Sequence, residues 1–217
     1  MPNTLNPLIQ SMLHDAFVSP QALPQCPELQ LYLVDPSTMQ RPFSLDEVRS
    51  IWENTAYWAF CWASGQVLAK YILQHPETVK DKKVLDFGTG SGVVAIAAMK
   101  AGAKQVIACD IDQDALTSCQ ANARLNNVTF DLSDDLFGIK DKDIDLLIAA
   151  DVLYDRENLS FLDTFFRFAP NVLLADSRIK DFSHPHYQFM NKVESFTVPD
   201  LDELDEFRWV NLYTGRK

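Results

Sequence analysis

One aspartate and three glycines stand where an apolar strand pattern changes into an alanine-rich helix pattern. The strand pattern KVLDF carries Asp86, and Gly88, Thr89, Gly90 and Gly92 follow it. Glycines at such a junction let the backbone approach a ligand closely, and ligands of open α/β sheets bind outside the carboxyl ends of the strands. The spacing predicts a nucleotide-like ligand at this turn, and a tight turn that binds nothing is the alternative.

The residues around the turn favour one cofactor over another. Val93 stands where the dinucleotide fingerprint GxGxxG needs a small residue, and the third glycine comes one residue early. Asp86 precedes the glycines, where a carboxylate attracts the cationic amino-acid end of S-adenosylmethionine and repels a pyrophosphate. Asp110 ends the next strand pattern and suits the ribose hydroxyls of an adenosine. We expect S-adenosylmethionine as cofactor, with S-adenosylhomocysteine as product.

Strand and helix patterns alternate through the middle of the chain. Such alternation predicts βαβ units with right-handed crossovers and helices on both faces of a parallel sheet. Two final strand patterns, 193–199 and 207–213, are joined without a helix and predict an antiparallel closing pair. The expected fold is α/β, doubly wound, with a mostly parallel seven-strand sheet. The strand patterns lie at 83–87, 105–110, 128–132, 145–151 and 171–176, and the helix patterns at 91–101, 112–125 and 157–168.

The first 57 residues carry a less regular pattern. A helix pattern covers 8–18, prolines follow, and a strand pattern covers 29–34. Apolar residues at helical spacing from 58 to 74 then predict a helix before the alternating region. We expect an N-terminal cap over 1–57 and a catalytic domain over 58–217.

The net charge of the chain limits the kinds of macromolecule that it can bind. The chain has 217 residues and a formal net charge of -11. Proteins bind phosphate backbones with clustered Lys and Arg, so this charge argues against a broad nucleic-acid surface. A basic protein partner or solubility alone would explain the charge. The acidic loop 200–206 allows the same two interpretations, a docking site for a basic patch or a solvated turn.

Other classes of protein are disfavoured by what the sequence lacks. The four cysteines show no CxxC spacing, and His184 and His186 have no third ligand at a known spacing, so we expect no metal. The first residues show no signal or transit peptide, and no apolar run reaches the roughly 20 residues of a membrane helix. We expect a cytoplasmic, monomeric protein that binds neither membranes nor nucleic acid.

Four motifs in order resemble a known class of enzyme. DFGTGSG, CDID, DDLF and AADVLYD are similar to the motifs of the seven-strand, Rossmann-like S-adenosylmethionine-dependent methyltransferases. The blocks YWAFCWASGQ and DVLY are narrower, and they resemble the electron transfer flavoprotein β-subunit lysine methyltransferases and their bacterial relatives. The likeness runs from about Pro27 to Asp155. Three positions depart from the family pattern, which has Pro at Ala56, Gly at Ser64 and Asp-Pro-Gly-Arg around Ser177.

The resemblance implies the site residues. The glycine turn would hold the methionine part of the cofactor, and an aromatic residue would flank it. Asp151 and Tyr154 match the D-x-x-Y motif of the family's catalytic site. The implied cofactor residues are Trp62, Asp86, Gly88, Thr89, Gly90, Gly92, Asp110, Ile111, Asp135 and Leu136.

The chemistry of an amine acceptor assigns a role to the D-x-x-Y motif. A carboxylate raises the pKa of a nearby amine, so we assign Asp151 to positioning rather than deprotonation. Tyr154 and Trp58 could wall the amine with aromatic faces, and core packing is the alternative for both. The expected acceptor is a lysine of a protein substrate. A small-molecule amine or pyridine N-methyltransferase, of the nicotinamide type, and a non-catalytic scaffold are the alternatives.

Overall fold

The computed structural model describes residues 2–140, 143–154, 156–179, 182–201 and 204–217. No helix in these ranges combines the length and apolar character that crossing a bilayer requires. The helices are α1 (Pro2–Ile9), α2 (Pro36–Met39), α3 (Leu45–Glu53), α4 (Ala63–Gln74), α5 (Val93–Lys100), α6 (Gln113–Leu125) and α7 (Phe161–Thr164). The strands are β1 (Val18–Leu23), β2 (Cys26–Val34), β3 (Lys83–Phe87), β4 (Gln105–Cys109), β5 (Asp131–Ser133), β6 (Leu146–Ala150), β7 (Asn171–Asp176), β8 (Tyr187–Glu194) and β9 (Trp209–Arg216).

Seven strands form one sheet in the order β5-β4-β3-β6-β7-β9-β8. The first five of these are mutually parallel, β9 runs antiparallel to β7, and β8 runs antiparallel to β9. The predicted fold class, including the antiparallel closing pair, is confirmed. The strand order reverses on either side of β3, so the carboxyl ends of β3, β4 and β6 border the crevice where ligands of such sheets bind.

The central strands are buried on both faces, as parallel strands between two helix layers must be. Val84 of β3 belongs to an apolar cluster with Leu68 of α4 and Ile96 of α5. Its neighbour Leu85 belongs to the cluster on the opposite face, together with Phe165. This alternation fixes the register of β3, because a slip of one residue would exchange the two faces.

The N-terminal hairpin of β1 and β2 is hydrogen-bonded to helix α6 through two buried asparagines. Asn122 Oδ1 accepts the Tyr32 N–H at 2.7 Å, and Asn126 Oδ1 accepts the Gln30 N–H at 3.1 Å. Asn122 Nδ2 also donates to the carbonyl of Ser91 at 2.9 Å, which lies in the glycine turn. Asn122 therefore joins the hairpin to the turn.

The helix predicted at 8–18 is wrong. Helix α1 ends earlier, and Val18 begins β1 opposite Val34 of β2. The Asn6 side chain accepts the Val18 N–H at 2.9 Å and so holds the start of the strand. Pairing within the hairpin outweighs the local helix pattern. The strand predicted at 29–34 is confirmed as part of β2.

Two predicted strands are shorter than their patterns. The stretch 128–132 contributes only its end to β5, because the N–H of its first residue closes helix α6 on the Ala123 carbonyl at 3.0 Å. The stretch 193–199 contributes only its start to β8, because Val198 pairs with Cys61 through two hydrogen bonds of 2.8 Å. Both differences come from contacts with other segments rather than from local propensity.

The helices next to the glycine turn occupy their predicted places. Helix α6 follows Asp112, whose side chain accepts the Asp114 N–H at 2.8 Å, and Asn127 stops it with a φ of 58°.

The helix predicted at 58–74 is confirmed only from the start of α4, because a 3₁₀ turn occupies Tyr57–Ala59.

The helix predicted at 157–168 is broken into a 3₁₀ turn, the short helix α7 and a second 3₁₀ turn. The Asn158 side chain donates to the Val152 carbonyl at 2.8 Å. The Phe165 ring packs on Phe87 with centroids 5.0 Å apart. Of the apolar face that the pattern predicts, Leu162 and Phe165 are buried, whereas Leu159 is 39% exposed, so the face is kept only in part.

Replacing Asn122 with Ala should lower the free energy of unfolding by about 2–6 kcal/mol. The reason is that the Tyr32 N–H and the Ser91 carbonyl lose their partner, and each such buried group costs about 1–3 kcal/mol. Urea denaturation followed by circular dichroism measures the change. Gln120→Ala is the control, because Gln120 is exposed on the same helix and its side chain accepts from Arg124. Equal losses in the two variants would contradict the link between hairpin and turn.

Candidate active site

The glycine turn between β3 and α5 has a backbone that other residues adopt only with strain. Gly88, Gly90 and Gly92 have φ values of 67°, 50° and 81°. The N–H groups of Gly88 and Thr89 donate to the Cys109 carbonyl at 2.9 and 3.0 Å, which fastens the turn to the end of β4. The predicted junction of strand, glycines and helix is therefore present.

Asp86 lies beneath this turn and is only 2% exposed. Its Oδ2 accepts the Thr89 hydroxyl at 2.7 Å and the Ala95 N–H at 3.1 Å. Ala95 is in the first turn of α5, so the carboxylate caps a helix whose own N-cap residue is Gly92. Burial raises the pKa of Asp86 to about 7, although both hydrogen bonds act in the opposite direction.

Asp110 follows β4 at the same edge of the sheet. Its Oδ2 accepts the Gly90 N–H at 2.9 Å, and its Oδ1 accepts the Asp112 N–H at 3.1 Å. Burial raises the pKa of Asp110, and the two backbone donors partly counter this effect. The carboxylate is thus held against the glycine turn and is half-buried, with lone pairs left for further donors.

Ile111, Asp135 and Leu136 are the predicted cofactor residues that follow Asp110 in the chain. Burial raises the pKa of the Cys109 thiol to about 12, and the charges of Asp110, Asp86 and Asp135 add to the effect. Leu136 is 5% exposed and Ile111 is 89% exposed. Ile111 therefore presents an apolar side chain to solvent next to the carboxylate of Asp110.

Asp151 follows β6 and accepts four hydrogen bonds from the residues that the structure describes. Oδ1 accepts the Ser64 hydroxyl at 2.5 Å, the Ser177 hydroxyl at 2.8 Å and the Ser177 N–H at 3.1 Å. Oδ2 accepts the Ser64 N–H at 2.9 Å. Ser64 lies in the first turn of α4, and Ser177 follows β7. The carboxylate therefore joins the ends of two strands to the start of a helix.

Tyr154 and Trp62 belong to one group of aromatic residues joined by Tyr57. The Tyr154 ring stacks on Tyr57 with centroids 5.7 Å apart, and Tyr57 contacts Trp62 at 5.9 Å. The Arg178 guanidinium carbon lies 6.0 Å from the centre of the Trp62 ring. Tyr57 is 48% exposed and Tyr154 is 57% exposed, so both rings are accessible to an acceptor.

The cofactor residues and the D-x-x-Y motif abut. A Cβ atom built on Gly88 would lie 2.7 Å from Cγ1 of Val152, the residue after Asp151. The glycine turn therefore packs directly on the segment that carries Asp151 and Tyr154. The structure brings both groups of predicted residues to one edge of the sheet.

One residue considered from the sequence lies elsewhere, and one segment is described only in part. Trp58 is 2% exposed and packs in the apolar cluster with Leu5 and Ile9 of α1, so its place is the core rather than an amine wall. The acidic loop 200–206 includes residues 202 and 203, which lie outside the described residues.

Sequence reasoning missed three residues that the structure places here, Tyr57, Ser64 and Ser177. The two serines are departures from the family pattern, and that difference was the available signal for them. Tyr57 lies within the narrow YWAFCWASGQ block. Its stacking on Tyr154 joins residues far apart in the chain, so no local pattern indicates it.

The strand order, the glycine turn after β3 and Asp110 after β4 place the chain in the class of S-adenosylmethionine-dependent methyltransferases. The family model described as Ribosomal protein L11 methyltransferase (PrmA) matches residues 67–155. The crystal structure of ribosomal protein L11 methylase from Lactobacillus delbrueckii subsp. bulgaricus has a TM-score of 0.50 and 26% identity, and the match covers 71% of this chain and 78% of that one.

Curated relatives narrow the class to a family. Electron transfer flavoprotein beta subunit lysine methyltransferase from Rattus norvegicus is 31% identical, over 82% of this chain and 72% of the rat protein. The Homo sapiens protein of the same name is 30% identical, over 89% of this chain and 76% of its own length. This chain belongs to the electron transfer flavoprotein beta subunit lysine methyltransferase family and is an S-adenosylmethionine-dependent methyltransferase.

Two alanine substitutions in the glycine turn should differ sharply in stability. At Gly92 a Cβ would lie 2.6 Å from Cys119 Sγ, whereas at Gly90 the nearest described heavy atom is the Gly88 carbonyl oxygen at 4.0 Å. Both variants carry the left-handed strain of about 1–2 kcal/mol. Gly92→Ala should lose about 1–3 kcal/mol more through overpacking, measured by urea denaturation. Equal stability of the two variants would contradict this prediction, because it would show that the Cys119 side chain moves aside without a loss of stability.

Proposed function

We propose that this enzyme transfers the methyl group of S-adenosylmethionine to a lysine side chain of a protein substrate. The observation that carries the proposal is the close packing of the glycine turn on the D-x-x-Y segment, where a Cβ atom built on Gly88 would lie 2.7 Å from Val152 Cγ1. It allows a cofactor on the turn and an amine beside Asp151 to meet. Family membership supports the same reaction.

The residues at the turn fit the proposed cofactor. Open space at Gly90 lets a ligand approach the backbone, and Asp110 beside it would accept the ribose hydroxyls. The exposed Ile111 offers an apolar surface to the adenine, and Asp135 and Leu136 would lie at its edge. Trp62 would flank the methionine part. Asp86 is engaged by Thr89 and Ala95, so we assign it an electrostatic effect on the cationic end rather than a direct contact.

The amine must reach the methyl carbon in its neutral form. A lysine pKa of about 10.4 makes deprotonation at pH 7 cost about 4.6 kcal/mol. The bound cofactor supplies an electrophilic methyl group on a sulfonium, and the positive charge also lowers the pKa of a nearby amine. Asp151 would orient the amine in line with the methyl carbon, and Tyr154 with Tyr57 would line the aliphatic stem. The lysine would lose its proton to solvent first; the N–C bond would then form as the S–C bond of the sulfonium breaks, with S-adenosylhomocysteine as the leaving group.

The relatives name a candidate substrate, the β-subunit of an electron transfer flavoprotein, and we propose that protein as the acceptor. The net charge of -11 favours a basic protein surface over nucleic acid. We also propose a cytoplasmic monomer in which residues 1–57 form a cap on the domain of residues 58–217. The bonds from Asn122 and Asn126 to β2 support a cap that acts with the domain.

Asp110→Ala should weaken binding of S-adenosylmethionine at least about tenfold, measured by titration calorimetry. The variant loses charge-assisted hydrogen bonds, each worth about 1.5–3 kcal/mol. Asp131→Ala is the matched control, because Asp131 is an exposed acid of the neighbouring strand that bonds to Gln105. Unchanged affinity in a folded Asp110→Ala protein would remove the basis for the adenosine assignment.

Incubation with methyl-labelled S-adenosylmethionine and a cell lysate should label a protein, and purified electron transfer flavoprotein β-subunit should be labelled on lysine. Precipitated protein and the small-molecule fraction are counted separately, and mass spectrometry identifies the residue. Asp110→Ala enzyme serves as the control for background transfer. Label confined to small molecules would replace the proposal with an amine or pyridine N-methyltransferase.

A further inference from the structure

The carboxylate of Asp151 has its two oxygens hydrogen-bonded unequally. Among the described residues, Oδ1 has three donors and Oδ2 has one, and all four come from Ser64 and Ser177. Both serines are buried, Ser64 at 0% and Ser177 at 8% exposed. Each gives a hydroxyl to Oδ1, so that oxygen has no capacity left for a substrate.

The backbone of Asp151 is constrained as well. Its φ is 50°, in the left-handed region that non-glycine residues rarely occupy, and its N–H donates to the Ala175 carbonyl at 3.0 Å. Side-chain bonds to segments on both sides hold this conformation. Strain that the surroundings maintain in this way is typical of functional sites.

We propose that Ser64 and Ser177 are positioning residues of the methyl transfer, which saturate Oδ1 of Asp151 and thereby leave Oδ2 as the atom that receives the acceptor amine. The inference rests on the proposed function. Oδ2 has one donor, the Ser64 N–H, and so keeps a lone pair for an amine hydrogen. The two hydroxyls also stop the carboxylate from rotating, which would exchange the two oxygens.

The hydrogen bonds from Ser64 and Ser177 to Asp151 should affect the rate of methyl transfer more than the affinity for S-adenosylmethionine. In-line transfer requires the nitrogen within about 3–3.5 Å of the methyl carbon, and a misplacement of about 1 Å can cost about 100-fold in rate. Without the hydroxyls, Oδ1 would also accept an amine, which would then lie off the line of transfer. Among the described residues, the hydroxyls of Ser64 and Ser177 bond to Asp151, so we expect cofactor affinity to be unaffected.

The test compares Ser64→Ala, Ser177→Ala and Ser177→Thr by steady-state rates of label transfer to the purified acceptor protein that the lysate assay identifies. Each alanine variant should lower kcat about tenfold while the Kd for S-adenosylmethionine stays within about twofold, and Ser177→Thr should recover the rate. Ser195→Ala is the matched control, because Ser195 is 1% exposed and its hydroxyl has no hydrogen-bond partner among the described residues. Thermal melts confirm that each variant is folded.

The same substitutions in an Asp151→Asn background separate positioning from general stability. If the serines act through Asp151, Ser177→Ala should change kcat less than about twofold there. A full further tenfold loss, or an equal loss from Ser195→Ala, would overturn the inference. Wild-type enzyme that labels no protein would instead overturn the proposed function, and the inference with it.

Discussion

Carboxylates at the ends of parallel strands hold the backbone of this site in place. Each accepts an N–H from the glycine turn or from the first turn of a helix. Helix starts have unpaired N–H groups and a partial positive charge, so a carboxylate there satisfies a donor and complements the dipole. The pairs are Asp86 with Ala95, Asp110 with Gly90 and Asp151 with Ser64. The acidic side chains that a cationic ligand needs thus also fix the turn and two helices.

Burial of these acids has an electrostatic consequence. It raises the pKa of Asp86 to about 7 and that of Asp176, at the end of β7, to about 6, and it raises the pKa of Asp110 as well. A cation bound nearby stabilises the ionised form of such groups. A sulfonium cofactor and a lysine acceptor are both cationic in solution. The site is therefore better suited to them than to a pyrophosphate, in agreement with the family to which the chain belongs.

Predictions of strands and helices from the sequence were most reliable where the local pattern of a segment agrees with its place in the tertiary structure. KVLDF and NVLLAD are short apolar runs bounded by turn residues, and β3 and β7 occupy those residues. Predictions were wrong or incomplete where a distant segment competes for the same backbone. Val18 pairs with Val34 instead of continuing a helix, and Val198 pairs with Cys61 instead of extending β8.

By itself the sequence determined the α/β alternation, the glycine turn with its two flanking acids, and the cofactor class, because each is encoded by neighbouring residues. Only the tertiary structure decided which atoms of Asp151 are occupied and that Tyr57 stacks on Tyr154. The Ser64 hydroxyl that reaches Asp151 is 87 positions away in the chain. Hydrogen bonds across such separations leave no periodic trace in the sequence, since they depend on how helices and strands pack.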